Sequence, residues 1–177
     1  KDWLDDYALF MAGKDAHGGA CWLEWEDDLR DPDEEIKATW RERLADSIEY
    51  YKYIQFIFFR QWNAIRDYAH VNGIKIVGDI PIFVALDSAD VWANRELFQL
   101  EKDGYPTVVA GVPPDYFSAT GQRWGNPIYN WEYLKENNYQ FWVDRIGYSS
   151  KLFDIIRIDH FRAFDTFWKI PASCPTA

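Results

Sequence analysis

A short β-branched run, residues 155–158, does more than any other feature to limit what this chain can fold into. A run of this kind between polar residues is typical of a buried strand. Because side chains alternate between the two faces of a strand, Arg157 and Asp159 point the same way. The guanidinium favours an ionised carboxylate beside it. An ionised carboxylate at the carboxyl end of a strand is where α/β barrels hold reacting groups, although a structural ion pair fits the same pattern.

A second short β-branched strand is predicted at residues 74–78, and it also ends beside an aspartate, Asp79. Helix, tight turn and strand follow one another here, which indicates an α/β fold. We expect the two strands to lie parallel in one sheet, because a parallel connection needs the helical crossover found between them. Their ends would then bring Asp79 close to Arg157 and Asp159.

A long helical pattern precedes that strand, from about residue 32 to residue 72. Its apolar side chains recur every three or four positions, which places them on one helical face. We expect Asp31 to cap the helix and Gly73 to follow its end. The pattern fits one helix, or two joined by a bend near Tyr50. Residues 54–59 are apolar almost all round, which predicts deep burial of this half.

Residues 111–127 form the third feature, an aromatic segment with prolines towards both ends and three glycines. This composition excludes regular secondary structure, so we expect a long irregular loop, which is more often functional than a spacer. Aromatic residues make up 19% of the whole chain, including ten tryptophans. We attribute them partly to a large core and partly to stacking against the apolar faces of sugars.

The charge, the cysteines and the length exclude several classes of protein. A net charge of −10 disfavours nucleic-acid and anionic membrane partners. No apolar run approaches the roughly 20 residues of a membrane span. Cys21 and Cys174 suit neither a disulfide framework nor a metal site. We therefore expect a cytoplasmic protein with a neutral substrate. A complete α/β barrel needs about 250 residues, so 177 residues predict an internal fragment of one.

Residues 157–162, with the sequence RIDHFR, resemble the fourth-strand motif of the amylomaltase family. These enzymes are 4-α-glucanotransferases related to the α-amylases. The resemblance implies that Asp159 is the catalytic nucleophile and that Arg157 orients it and keeps it ionised. It implies a substrate contact for His160. The resemblance extends through nearly the whole chain.

Two further blocks resemble the same family, in the same order. Residues 78–85 are similar to its third-strand block, which implies that Asp79 supports the bound glucose or the arginine. From the residues alone, an aspartate that caps a loop is the likelier role for Asp79. Residues 113–127 are similar to the loop that arches over the substrate groove. By this match, the implied sugar platforms and groove contacts are Tyr116, Phe117, Trp124 and Asn126.

The resemblance implies a partial (β/α)8 TIM barrel with long helices and an inserted aromatic loop, with residues 1–177 in one catalytic domain. The implied reaction moves a segment of a 1,4-α-glucan to the 4-hydroxyl of glucose or another glucan through a covalent glucosyl–enzyme intermediate. Maltooligosaccharides are the implied partners, and neither a cofactor nor a metal is required. The family's acid/base glutamate and third carboxylate would lie beyond Ala177. We therefore expect the chain alone to be inactive and its incomplete barrel to self-associate.

Two alternative functions stay open. The first is an α-glucan hydrolase of the amylase kind, but residues 113–127 resemble amylomaltases rather than amylases. The second is a non-catalytic glucan-binding module, which would keep the aromatic residues. Such a module would not need Arg157 and Asp159 aligned on one strand.

Overall fold

Seven α-helices and five β-strands make up the computed structural model, which describes residues 2–177. The helices are α1 (Asp2–Ala16), α2 (Asp27–Arg30), α3 (Glu34–Arg43), α4 (Ala45–Val71), α5 (Ala89–Ala93), α6 (Trp131–Glu136) and α7 (Gln140–Ser149). The strands are β1 (Val77–Pro81), β2 (Val108–Val112), β3 (Gln122–Pro127), β4 (Ile155–Asp159) and β5 (Trp168–Pro171). Short 3₁₀ helices lie at Trp22–Glu24, Arg95–Leu97 and Phe161–Phe164. Within residues 2–177, no helix has the length and apolar character to cross a membrane.

Two compact units divide the chain. The first unit comprises the residues up to Gln61 and a short segment from later in the chain, residues 87–94. Its core is aromatic: Trp22 is fully buried, and the indole Nε1 of Trp92 donates a hydrogen bond to the carbonyl of Leu29 at 2.9 Å. Much of the tryptophan content therefore serves packing in this unit.

The second unit, Trp62–Leu86 with Arg95–Ala177, contains both β-sheets. Strands β1 and β4 form a parallel pair, and β2 lies between β3 and β5 in an antiparallel sheet. The parallel pairing of the two motif strands is confirmed. The first strand begins at Val77 rather than Ile74, because the Ile76 amide donates instead to the Asp154 carboxylate at 2.8 Å.

The predicted burial of the motif strands is wrong for one of their faces. Ile155 is 49% exposed, and Arg157 and Asp159 are exposed as well. On the opposite face, Ile80 is 5% exposed. The ring of Phe153 covers Gly78 so closely that a Cβ there would lie 2.0 Å from it. The sheet is therefore half-covered, with one face packed and the other, which carries Asp79, Arg157 and Asp159, open.

The helical prediction holds in extent but not in detail. Asp33, rather than Asp31, caps α3 by accepting a hydrogen bond from the Ile36 amide at 2.8 Å. The break falls at Leu44, between α3 and α4, and not near Tyr50. Residues 54–59 are not deeply buried, since Phe56 is 60% exposed. Apolar periodicity identifies a helix, but it does not reveal how many of its faces another element covers.

Regular structure also replaces part of the expected loop. Both ends of residues 111–127 lie in strands, because Gly111 and Val112 belong to β2 and residues 122–127 form β3. Gly111, one of the three glycines on which the prediction of an irregular loop rested, instead permits the pairing of β2 with β3. A Cβ on Gly111 would lie 2.2 Å from the carbonyl oxygen of Gln122 on the neighbouring strand. The irregular part shrinks to residues 113–121.

Candidate active site

A guanidinium joins two carboxylates across β1 and β4. Asp159 is the last residue of β4, whereas Asp79 lies in the middle of β1 and not after its end as predicted. Arg157 Nε donates to Asp79 Oδ1 at 3.1 Å, and its Nη2 lies 3.0 Å from Asp79 Oδ2, so this contact is bidentate. The same Nη2 donates to Asp159 Oδ1 at 3.4 Å. The parallel register accounts for the cluster, because Asp79 and Arg157 are direct partners and Asp159 follows two residues later on the same face. The predicted proximity of these three residues is confirmed.

The three side chains are accessible to a ligand. The exposed fractions are 65% for the side chain of Arg157, 54% for that of Asp79 and 62% for that of Asp159. Charge-assisted, bidentate contacts fix orientation more firmly than single neutral ones. The arrangement therefore presents a carboxylate, Asp159, that is held from one side and open on the other.

An aromatic pair lies at the end of β4. The rings of Trp124, on β3, and His160, directly after β4, meet edge to face with their centroids 5.0 Å apart. His160 has left-handed backbone angles, φ 52° and ψ 42°. Non-glycine residues in this region are strained, and such strain concentrates at functional sites. The turn ends the strand at the nucleophile candidate and brings the imidazole to Trp124.

Asn126 uses one donor of its side-chain amide within the fold. Its Nδ2 donates to the carbonyl oxygen of Val84 at 2.8 Å, in the segment that follows β1. The structure therefore gives this side chain a supporting role for the backbone near the carboxylates.

Tyr116 and Phe117 stand at the tip of the irregular loop, where they are 97% and 91% exposed. Their rings meet edge to face at 5.7 Å. Asp115 shapes the tip, because its Oδ1 accepts hydrogen bonds from the amides of Phe117 and Ser118 at 2.9 and 2.8 Å. Two large rings are thus presented to solvent.

Two residues that the sequence does not point to support the end of β1. Arg145, on α7, donates to the carbonyl of Pro81 at 2.7 Å and to that of Ile82 at 3.3 Å. The hydroxyl of the buried Tyr129 donates to the same Ile82 carbonyl at 2.8 Å. The partners in these contacts lie 47 to 64 residues apart in the sequence, so no local spacing pattern predicts them.

A third supporting contact fixes the other end of the strand pair. His70 Nε2 lies 2.9 Å from both carboxylate oxygens of Asp154, and the Ile76 amide donates to the same carboxylate. The Ile76 amide, and then His70, hold the pKa of Asp154 below its ordinary value. The contact joins the end of α4 to the start of both strands, which sets their register.

Comparison with known proteins places the chain among enzymes of one kind. A family model described as 4-alpha-glucanotransferase matches residues 1–177. The 4-alpha-glucanotransferase of Thermus thermophilus is 54% identical over 175 residues, and that of Synechocystis sp. is 50% identical over 177 residues. Each alignment covers 99% of this chain and 35% of the relative, so the chain spans little more than a third of their length.

A solved structure agrees with these relatives. The amylomaltase from Streptococcus agalactiae, in complex with acarbose, matches with a TM-score of 0.95 at 43% identity. The match covers 99% of this chain and 36% of that one. The α/β class is therefore confirmed.

Proposed function

This chain belongs to the 4-alpha-glucanotransferase family, and from that premise we propose that it carries the nucleophile side of a glucan-transferring active site. The observation that supports this most directly is the bridge from Arg157 to both Asp79 and Asp159 across two parallel strands. The strand pair would be part of a (β/α)8 barrel, with the whole chain inside one catalytic domain. The location would be cytoplasmic.

In this proposal Asp159 attacks the anomeric carbon of a 1,4-α-glucan. The new carboxylate–carbon bond forms as the glycosidic C–O bond breaks, and the leaving 4-oxygen takes a proton from a general acid. The 4-hydroxyl of a second glucan then attacks the same carbon and gives up its proton to the conjugate base of that general acid. This step frees Asp159 and retains the anomeric configuration. Arg157 orients the nucleophile, and Asp79 holds Arg157.

Neither aspartate suits the role of proton donor, because each accepts a hydrogen bond from Arg157. The chain spans only 35% of the length of these relatives, and we propose that the general acid lies in the part that it does not span. Positioned general acid catalysis contributes roughly 10²–10⁴-fold, so the chain of 177 residues by itself would be inactive.

Glucan would reach the carboxylate between aromatic surfaces. Trp124 and His160 would line the groove beside Asp159, and Tyr116 and Phe117 would serve as sugar platforms on the loop. Rings that exclude water from the glucosyl intermediate favour a sugar acceptor over hydrolysis. The exclusion of water distinguishes this proposal from the hydrolase alternative, because both reactions begin with the same step, formation of the glucosyl–enzyme intermediate.

Activity on maltotriose tests the proposal. The comparison uses the 177-residue chain and a longer protein that contains it at the length of its relatives, hereafter the longer protein. We expect the longer protein to yield glucose and longer glucans, and to lose this on Asp159→Asn. Glucose with no longer products would favour the hydrolase, and full activity of Asp159→Asn would refute the nucleophile assignment. Robust turnover by the chain alone would place a general acid within it.

A further inference from the structure

A side chain from α7 binds the backbone at the carboxyl end of β1. Arg145 Nη2 donates to the carbonyl oxygen of Pro81 at 2.7 Å, and its Nη1 donates to that of Ile82 at 3.3 Å. Pro81 is the register partner of Asp159, and the two residues form the last pair of β1 and β4. Arg145 therefore binds the residue that lies directly beside the nucleophile candidate.

The proline makes this end of the strand pair depend on a contact from outside the sheet. Proline has no backbone N–H, so Pro81 cannot donate a hydrogen bond to β4. Its carbonyl accepts from the Arg145 guanidinium, and hydrogen bonds to charged groups are stronger than neutral ones. At the opposite end, the Asp154 carboxylate accepts from the Ile76 amide at 2.8 Å. A charged side chain therefore holds each end of the pair.

Arg145 is itself held in a fixed orientation. Its guanidinium carbon lies 5.0 Å from the centroid of the buried Trp142 ring. Its Nη1 also donates to the hydroxyl of the fully buried Tyr129 at 3.3 Å, and that hydroxyl donates to the Ile82 carbonyl. Because a ring and a hydroxyl both contact the guanidinium, it has little freedom to leave the two carbonyls.

We propose that Arg145 is a positioning residue for the reaction at Asp159. It acts through Pro81 and the strand register and does not contact the substrate. A nucleophile has to lie roughly 3–3.5 Å from the atom that it attacks, and a misplacement of about 1 Å can lower the rate about 10²-fold. Loss of the Arg145 contacts frees the end of β1 and, with it, the carboxylate paired there. The inference rests on the proposed function, which makes Asp159 the nucleophile.

Turnover by the longer protein tests this role. We expect Arg145→Met to lower kcat for transfer from maltotriose about 10²-fold, and to leave KM within about threefold because no substrate contact is removed. Arg145→Lys keeps a charged donor without the planar fork, so its kcat should lie between those of Arg145→Met and the wild type. Trp92→Phe is the matched control, since it removes a hydrogen bond to the Leu29 carbonyl in the first unit. It should leave kcat close to that of the wild type, with every variant checked for folding by circular dichroism.

An activated donor separates the position of the nucleophile from the delivery of the proton. In α-maltotriosyl fluoride, the fluoride ion leaves with the electrons of the C–F bond as the carboxylate–carbon bond forms, and it needs no general acid. We expect Arg145→Met to slow fluoride release by about the same factor as transfer from maltotriose. A loss confined to maltotriose would overturn the inference, and so would a kcat within about threefold of the wild type.

Amide hydrogen exchange in the 177-residue chain tests the inference without turnover. We expect Arg145→Met to speed up exchange at residues 158–160 by about tenfold or more, the effect of one lost hydrogen bond to a charged group. The effect at residues 155–156 should be smaller, because Asp154 still holds that end. Equal acceleration along β4, or none, would show that Arg145 does not position its carboxyl end.

The outcomes separate this inference from the proposed function. A longer protein that does not transfer glucan, or that keeps transfer in Asp159→Asn, would refute the proposed function. Normal turnover of Arg145→Met in a longer protein that depends on Asp159 would refute the positioning role alone.

Discussion

Asp79 and Arg157 face each other as register partners across β1 and β4, and the guanidinium contacts both oxygens of the carboxylate. The contact links two strands that stand 78 residues apart in the sequence. Because Arg157 also reaches Asp159, the position of the proposed nucleophile depends on the register of the whole pair.

Replacing Arg157 with lysine should abolish most transfer in the longer protein. Lysine keeps the positive charge but lacks the planar fork that contacts two carboxylates at once. We expect the rate of glucan transfer from maltotriose to fall on the order of 10²–10³-fold, the usual effect of removing one oriented donor. The thermal midpoint of the chain should hardly change, since exposed ion pairs contribute little to stability. A variant that keeps transfer within a few fold would contradict the role given to Arg157.

Removing the loop rings should weaken transfer without affecting stability. Tyr116 is 97% exposed, so Tyr116→Ala leaves no cavity, and Phe117→Ala is equivalent. We expect a higher KM for maltoheptaose in the longer protein and an unchanged thermal midpoint. Tyr68→Ala is the matched control, because Tyr68 is 74% exposed on α4. Equal effects of all three substitutions would mean that the loop has no special role.

The Arg145→Met variant should destabilise the second unit. It removes the donors to the Pro81 and Ile82 carbonyls, and hydrogen bonds to charged groups contribute about 1.5–3 kcal/mol each. Because the Ile82 carbonyl keeps its hydrogen bond from Tyr129, we expect the free energy of unfolding in urea to fall by about the value of one such bond, roughly 1.5–3 kcal/mol. Arg162→Met is the control, since Arg162 is exposed and donates to a neighbouring side chain, that of Thr166. Similar losses in both variants would argue against a specific role for Arg145.

The Asp154 carboxylate should make the stability of the strand pair depend on pH. Its pKa is lowered in the folded chain, below the ordinary value of 3.8. A lowered pKa stabilises the fold above 3.8, and this contribution is lost as the pH falls through the folded pKa. Asp154→Asn should therefore reduce the free energy of unfolding at pH 7, with a gap to the wild type that narrows below pH 3.8. A gap of constant size across an acid titration would contradict this linkage.

Self-association of the 177-residue chain should be measurable in solution. Helix α4 exposes large apolar side chains, with Tyr53 at 61% and Phe56 at 60%, and contiguous patches of this kind promote association. We expect sedimentation velocity to show species above 21.0 kDa at micromolar concentration. The Phe56→Glu substitution should shift the distribution towards monomer. A monodisperse wild-type monomer would be the contrary result.

The sequence alone determined the elements whose signals are local. Two β-branched runs, each followed by an aspartate, predicted the strands, and the helices between them predicted the parallel pairing. Strand alternation placed Arg157 and Asp159 on one face. These features follow from the period of side chains along the backbone, which the sequence carries directly.

Tertiary structure decided which surfaces are covered and which polar groups meet. Periodicity could not show that none of residues 54–59 is buried, or that Gly111 is needed for a close strand contact. Nor could it show that the Asn126 amide binds backbone, or that Arg145 holds the end of β1. Burial and hydrogen-bond partnership between distant residues depend on how elements pack, and the same local pattern is compatible with several packings.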